Sequence, residues 1–453
     1  MLSPIHQIIN LLANSLAALQ MPISEEETEK IGIFIFLAME NTQRKFHNSL
    51  HVLEVCQNMT PLQTLAGLFH DVVYYQIDGN FPPNSAHFFA PFIDLKADGL
   101  YIRQFENGQD TQDKTVFEHC LAIFGFESGH KLEIFGGQNE FLSALLGGLL
   151  LKKYITPKIM VAFFACIEAT IPFRKPNQQG QTCYDILAIR LQKVAKQANF
   201  ELTKNEVDTI LTQAVELANR DVANFANPDV AKFLDRTWIL LPESHAQLWY
   251  AGVYSVVSYR TALSKMEGFL TVLQPNVIFD QYNHTPDDLT YTQLQEQATK
   301  NLQIACEYIG IKLLPIAIIE AAALLTGGDA PLSFFMGEVQ THENTKRAEH
   351  FLPPITTTTD LNTEVYQLLA FGRTAPTSFD LQNSPLSAFV YQQVGATTCR
   401  NLLQIAKLFF TQQISPLEFL QQTDKQIVIP ILEACAKIAT TRRAKLQDLC
   451  NNL

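Results

Sequence analysis

Two histidines four residues apart, His47 and His51, lie in Arg44-Lys45-Phe46-His47-Asn48-Ser49-Leu50-His51, and His70-Asp71 follows in Leu68-Phe69-His70-Asp71-Val72-Val73-Tyr74. Histidine is scarce, 11 of 453 residues, so this clustering stands out. On a helix, positions i and i+4 share a face. Both imidazoles of the first segment are therefore expected to point at one spot, to which His70 and Asp71 add a nitrogen and a carboxylate oxygen. Catalytic divalent metals take such ligands and leave a position open for water. The set lacks one more acid from a later helix. Asp221, in Asn219-Arg220-Asp221-Val222-Ala223-Asn224-Phe225, follows a strongly helical run and precedes apolar residues, so it is expected to face inward. Asp229 and Asp235 read as solvated acids of a loop or helix face.

These residues need a helical frame, and apolar spacing supplies one almost everywhere. Examples are Ile8/Leu11/Leu12/Leu16/Leu19, Leu142/Leu145/Leu149, Val207/Ile210/Leu211/Ala214 and Leu402/Leu403/Ile405/Ala406/Phe409. The best strand candidate, Lys131–Phe135, is short, so the fold class is all-α. Ser24 before three glutamates, Thr203 with Glu206, and Ser415-Pro416 with Glu418 mark helix starts by their capping-box pattern. Residues 76–138, with Pro82, Pro83 and Pro91, break the helical period and read as an irregular insertion or lid. Asp280–Leu289 reads as a linker. The expected division is therefore 1–282, carrying the site and its 76–138 insertion, and 290–453, a second helical region. Within the latter, residues 327–385 are rich in Gly, Pro and Thr, including Thr356–Thr359. Phe371–Leu381 reads as a connecting loop, with anion binding through Arg373 as the alternative. The surrounding helices are expected to serve self-association or partner binding.

The bulk composition narrows the classes. A hydrophobic fraction of 47% with 17% charged residues fits a well-buried globular chain. A net charge of −12 argues against a nucleic-acid backbone binder. It leaves room for a small nucleotide, whose phosphate a metal neutralises locally. The eight cysteines include no CxxC pair and read as buried residues of a reducing compartment. The apolar runs Phe141–Leu151, Ile159–Cys166 and Leu313–Leu325 are too short or interrupted to span a bilayer. Met1–Met21 reads as an amphipathic helix and not a signal peptide. The expected location is cytoplasmic.

The ordered elements carry a resemblance. Arg44-Lys45-Phe46-His47-Asn48-Ser49-Leu50-His51 is followed by Phe69-His70-Asp71-Val72-Val73-Tyr74, then Asn139-Glu140-Phe141-Leu142-Ser143-Ala144, then Glu168-Ala169-Thr170, then Asp221. This order resembles the HD superfamily of metal-dependent phosphohydrolases. It is more loosely similar to the catalytic domain of cyclic-nucleotide phosphodiesterases, which share the His-Asn-x-x-His element. The likeness covers roughly residues 1–280. It implies an HD-type helical bundle with His51, His70, Asp71 and Asp221 as metal ligands. It further implies His47 as proton donor and Glu140 beside the metal or its water. The metal is a divalent ion (Mn, Mg, Co, Fe, Ni or Zn). The implied activity is hydrolysis of a phosphomonoester or phosphodiester in a nucleotide-like small molecule, with metal-activated hydroxide as nucleophile. Arg44 is a candidate phosphate clamp, because guanidinium pairs bidentately with phosphate. Lys45, Arg174 and Lys265 are weaker candidates.

Plainer readings stand beside these. His51 is alternatively a core histidine bonded to a carbonyl, His47 an exposed residue, and Asp221 the partner of Arg220. Glu140 is alternatively a first-turn acid favoured by the helix dipole, and Arg44 a solvated charge. Arg260 reads as an ion-pair partner, Tyr74 and Tyr75 as packing, and the remaining histidines as surface or loop residues. At the level of function, the alternative is a catalytically silent HD-fold protein that binds metal and ligand and signals to a partner. Iron oxygenase chemistry would need further ligands that the sequence does not assign.

Overall fold

Helices dominate, as the apolar spacing predicts, and the three short strands among the described residues form one small antiparallel sheet. The computed structural model describes residues 2–104, 111–250, 252–338, 346–355 and 360–453. His342, Thr356–Thr359 and part of the expected insertion, 105–110, lie outside the described residues. Two compact units form: Met1–Asn224 with Gln274–Glu296, and Phe225–Leu273 with Gln297–Leu453. The division falls within the helix Asp288–Thr326.

The first unit is built on two almost wholly buried helices. Pro61–Phe69 buries every residue from Leu62 to Phe69, and Pro157–Ala169 every residue from Met160 to Ala169. Around them pack Pro4–Ala18, Ser49–Val55, Gln138–Leu151 and Lys204–Asp221. Large apolar side chains taken out of water contribute about 1.5–3 kcal/mol each, so these central helices anchor the site's geometry. Close approach depends on glycine at Gly147 and Gly148. A Cβ there would lie 2.7 Å from Phe163 and 2.6 Å from Phe164, respectively.

The expected helix starts are present. Thr203/Glu206 and Ser415/Glu418 form reciprocal capping boxes. Ser24 caps through its hydroxyl alone, while Glu27 bonds Lys30 and Tyr154 instead of returning to the cap.

The segment 76–138 is more ordered than its sequence suggests. It holds the hairpin Ile93–Lys96 and Gly99–Ile102, extended by Lys131–Leu132, and a helix over Thr111–Phe124. That helix buries Val116, Phe117, Cys120, Ile123 and Phe124, an i, i+1, i+4, i+7, i+8 pattern masked by the prolines and glycines around it. His119 lies on it and is buried, not a surface residue.

Asp280–Leu289 is not a free linker. Asn219 and Asp280 exchange two bonds of 2.8 Å, and the Tyr282 hydroxyl reaches Asp208 at 2.7 Å. The segment is thereby fastened to the first unit. By contrast Val230–Ser244 and Val256–Val272, placed in 1–282 by the sequence, belong to the second unit. Their polar bonds explain why: Trp238 Nε1 donates to Asp380 at 2.7 Å, and Arg260 pairs with Glu320 at 2.8 and 3.0 Å.

The second unit centres on buried charge. Asp235 is buried, not solvated, and accepts from the Thr374 hydroxyl and from Ala375 N. Arg373 is buried, packs 4.4 Å from the Trp238 ring and lies 3.7 Å from both Asp235 and Asp380. The Phe371–Leu381 loop is thus pinned through its arginine. Among the described residues one helix, Asp288–Thr326, is long and apolar enough to cross a membrane, and 89% of its apolar window is buried. All eight cysteines are free thiols.

Candidate metal centre

Three helix ends meet in the first unit. His51 is the third residue of Ser49–Val55, whose first turn is capped by the Asn48 side chain accepting from Leu50 N and His51 N. That cap ends the helix at Ser49, so His47 lies outside it and the shared-face expectation for His47 and His51 fails. The chain turns His47 back by another route, its ring 5.8 Å from His51 and stacked on Tyr74 at 4.3 Å. His70 follows the last residue of Pro61–Phe69, Asp71 comes next, and Asp221 is the last residue of Lys204–Asp221.

Side-chain bonds hold these ends in register. Gln63 Nε2 donates to Gln213 O at 2.9 Å and to Glu216 at 2.7 Å, joining the His70 helix to the Asp221 helix. Arg220 donates to Glu54 O at 3.3 and 3.4 Å, tying the Asp221 helix to the end of the His51 helix. Gly67 lets the His51 and His70 helices approach, because a Cβ there would lie 3.0 Å from Cys56 Sγ.

The ligand atoms converge. Those of His51, His70 and Asp221 lie within 4.8 Å of one another. His51 Nε2 is 3.0 Å from Asp221 Oδ1 and 3.6 Å from Asp71 Oδ2. His70 Nε2 is 3.3 Å from Asp71 Oδ2 and 3.4 Å from Asp221 Oδ1. His51, His70 and Asp71 are buried and Asp221 is partly so.

The donor chemistry fits a cation. His70 Nδ1 lies 2.8 Å from Gly67 O and donates to that carbonyl, which leaves Nε2 to face the two carboxylates. Both His51 Nε2 and His70 Nε2 are buried without a hydrogen-bond partner. Two buried carboxylates this close need positive charge beside them, from a protonated imidazole or from a cation. Burial alone would push the His70 imidazole down, but Asp71 and Asp221 outweigh it and hold it well above its ordinary value. Burial raises both carboxyls, and His70 more than reverses this, holding Asp71 and Asp221 far below the usual range. A bound divalent ion would supply the same charge.

Glu140 sits in the first turn of Gln138–Leu151. Burial pushes it up to about 7; a backbone hydrogen bond opposes this, and Asp71 and Asp221 reinforce it. The rest of its motif is structural. Asn139 Oδ1 accepts from Tyr75 N at 3.1 Å, and Ser143 Oγ accepts from Val73 N at 2.9 Å. One helix face therefore pins the backbone just beyond His70-Asp71.

Arg44 is not available as a phosphate clamp. It is buried, and its guanidinium donates to Asp78 at 3.0 and 2.5 Å, to Asp71 O at 2.6 Å and to Val72 O at 3.2 Å. It positions the backbone at Asp71 and Val72 instead. Arg174 is committed to Glu168 at 2.7 Å, which also receives Arg190 at 3.2 Å. Lys45 is exposed, and Lys265 belongs to the other unit. Sequence reasoning missed Asp78, Gln63 and the Gly67 carbonyl. Only Gln63 carried a local signal, as the third residue of a capping box with Thr60. No family model, curated protein or solved structure matches the chain.

Proposed function

We propose that the first unit is a metal-dependent phosphohydrolase of HD type, acting on a phosphomonoester or phosphodiester of a nucleotide-like small molecule. One observation carries the reading: the Nε2 atoms of two buried histidines, one with its other nitrogen bonded to a carbonyl, face Asp71 and Asp221 without a hydrogen-bond partner. His51, His70, Asp71 and Asp221 would hold a divalent ion, which would supply Lewis acidity and lower the pKa of a water toward neutral. Glu140, in the first turn of Gln138–Leu151, would exchange a proton with water or a phosphoryl oxygen at the site. His47, half-buried and stacked on Tyr74, would be the proton donor to the leaving oxygen. Arg44 keeps the His70-Asp71 backbone in place through two carbonyls.

The test pairs metal analysis with turnover. Purified protein should hold close to one equivalent of divalent metal, lost in His51→Ala and Asp221→Ala. With Mn²⁺, Mg²⁺ or Co²⁺ it should hydrolyse a member of a nucleotide and phosphoester panel, and Asp71→Ala should abolish this while keeping the helical signal. Unchanged metal content in both ligand variants sinks the site. The commitment of Arg44 and Arg174 to carboxylates favours a second reading, a silent metal-binding protein. Bound metal with no turnover across the panel would select it.

A further inference from the structure

The helix Pro385–Phe410 of the second unit begins inside the protein: Ser384, Leu386 and Ser387 are 7%, 2% and 2% exposed. A buried helix start needs partners for its first N–H groups, from a side-chain cap, water or a ligand. Ser384 occupies the cap position, yet its hydroxyl makes no capping bond and instead accepts from Lys312 Nζ at 2.7 Å. Among the described residues, the N–H groups of Leu386 and Ser387 have no acceptor.

These groups border a cavity of about 40 Å³, walled also by Tyr259, Lys312, Ile316 and Met336. Tyr259 is 1% exposed; its hydroxyl makes no close hydrogen bond and faces the Asp380 carboxylate, so burial first and then that charge hold the phenol well above its ordinary value. Lys312 gives one proton to Asp380 at 2.8 Å and one to Ser384, and its ammonium carries a third. Donors therefore converge here. Asp380, the carboxylate on this wall, is already matched by Lys312 and by Arg373 at 3.7 Å.

We propose that this is a second ligand site, separate from the metal centre, for a small anion with oxygen acceptors, a carboxylate or a phosphate. Its head takes the N–H groups of Leu386 and Ser387, the Tyr259 hydroxyl and the Lys312 ammonium. A helix N-terminus favours negative charge through its dipole and its open N–H groups. The cavity's size restricts the ligand to a short carboxylate or inorganic phosphate, with any apolar part against Ile316 and Met336.

The full-length protein is titrated with inorganic phosphate and with acetate, at ionic strength matched by chloride, by calorimetry and thermal unfolding. Excess EDTA keeps the metal centre from being the locus. Saturable binding of at least one anion is expected, with Tm rising with its concentration. Tyr259→Phe should weaken binding about tenfold, the worth of one hydrogen bond to a charged group. Met336→Trp should abolish it by filling the cavity while leaving the charges intact. No response above the chloride control overturns the proposal. So does binding that both variants leave unchanged with their helical signal intact.

Discussion

Arg44→Met separates two roles for one arginine. The substitution strips Asp78, whose side chain is 4% exposed, of both N–H partners and leaves the carbonyls of Asp71 and Val72 without these donors. Removing one member of a buried pair costs about 3–5 kcal/mol. A buried acceptor left unpaired costs about 1–3 kcal/mol, and the terms overlap because one relaxation serves them all. The expected loss is about 4 kcal/mol, a large part of the roughly 5–15 kcal/mol that holds a domain folded. Arg44→Lys keeps the charge but not the planar fork, so it should recover only part of the loss. Arg44→Met with Asp78→Leu removes both charges and should recover most of the ion-pair contribution. Urea unfolding followed by circular dichroism, with linear extrapolation of the first unit's transition, reads all three. Metal content should fall in parallel, because the same guanidinium holds the Asp71 carbonyl. The positioning role is refuted if Arg44→Met stays within about 1 kcal/mol of wild type, the worth of an exposed pair, while KM for a phosphoester rises. That pattern belongs to a clamp facing substrate.

Three further outcomes rest on other contacts. Ser143→Ala removes the acceptor of Val73 N and should cost about 1–3 kcal/mol in urea unfolding. Gly148→Ala places a methyl 2.6 Å from Phe164 and 2.9 Å from Val116. It should destabilise by about 1–3 kcal/mol through overpacking, and an unchanged Tm would show that the helices can separate there. For Asp380, burial raises the carboxyl, but Lys312 and Arg373 outweigh it and hold it below its ordinary value. Its folded pKa is depressed, so its stabilisation is fully present above the unfolded value of about 4. It is lost as pH falls through the lower folded value. Asp380→Asn should flatten that acid limb and lower neutral-pH stability by about 3–5 kcal/mol; an acid limb as steep as wild type would contradict the assignment.

Legibility followed the range of each interaction. Helix periodicity and the caps at Thr203 and Ser415 are local, and the sequence exposes them directly. Asp221 was legible for the same reason: it ends a long amphipathic run. Thr111–Phe124 is equally periodic but was obscured by its surroundings, where Gly and Pro mark the hairpin and turns of 76–102. The second unit's buried Asp235 was not legible, because its partners Thr374 and Ala375 lie some 140 positions away. A charge reads as solvated until the residue that neutralises it is seen.

The same contrast explains the opening histidines. Spacing of four residues implied one helical face, but Asn48 lies between them, and its side chain bonds Leu50 N and His51 N. Asparagine competes with the helix for its own backbone and prefers to start one, so the residue that completes His-Asn-x-x-His also expels His47 from the helix. On the proposed function this would give a division of labour. His51, inside the helix, is buried with its Nε2 aimed at two carboxylates, while His47, outside it, is half-buried against Tyr74. A ligand needs the first environment, and an acid that meets a substrate needs the second. Asn48→Ala should therefore cost about 1 kcal/mol as a lost cap and also blur that division. Metal content should fall with activity if the cap sets the His51 angle. A loss of stability with full metal content would show that the neighbouring helices hold His51 without it.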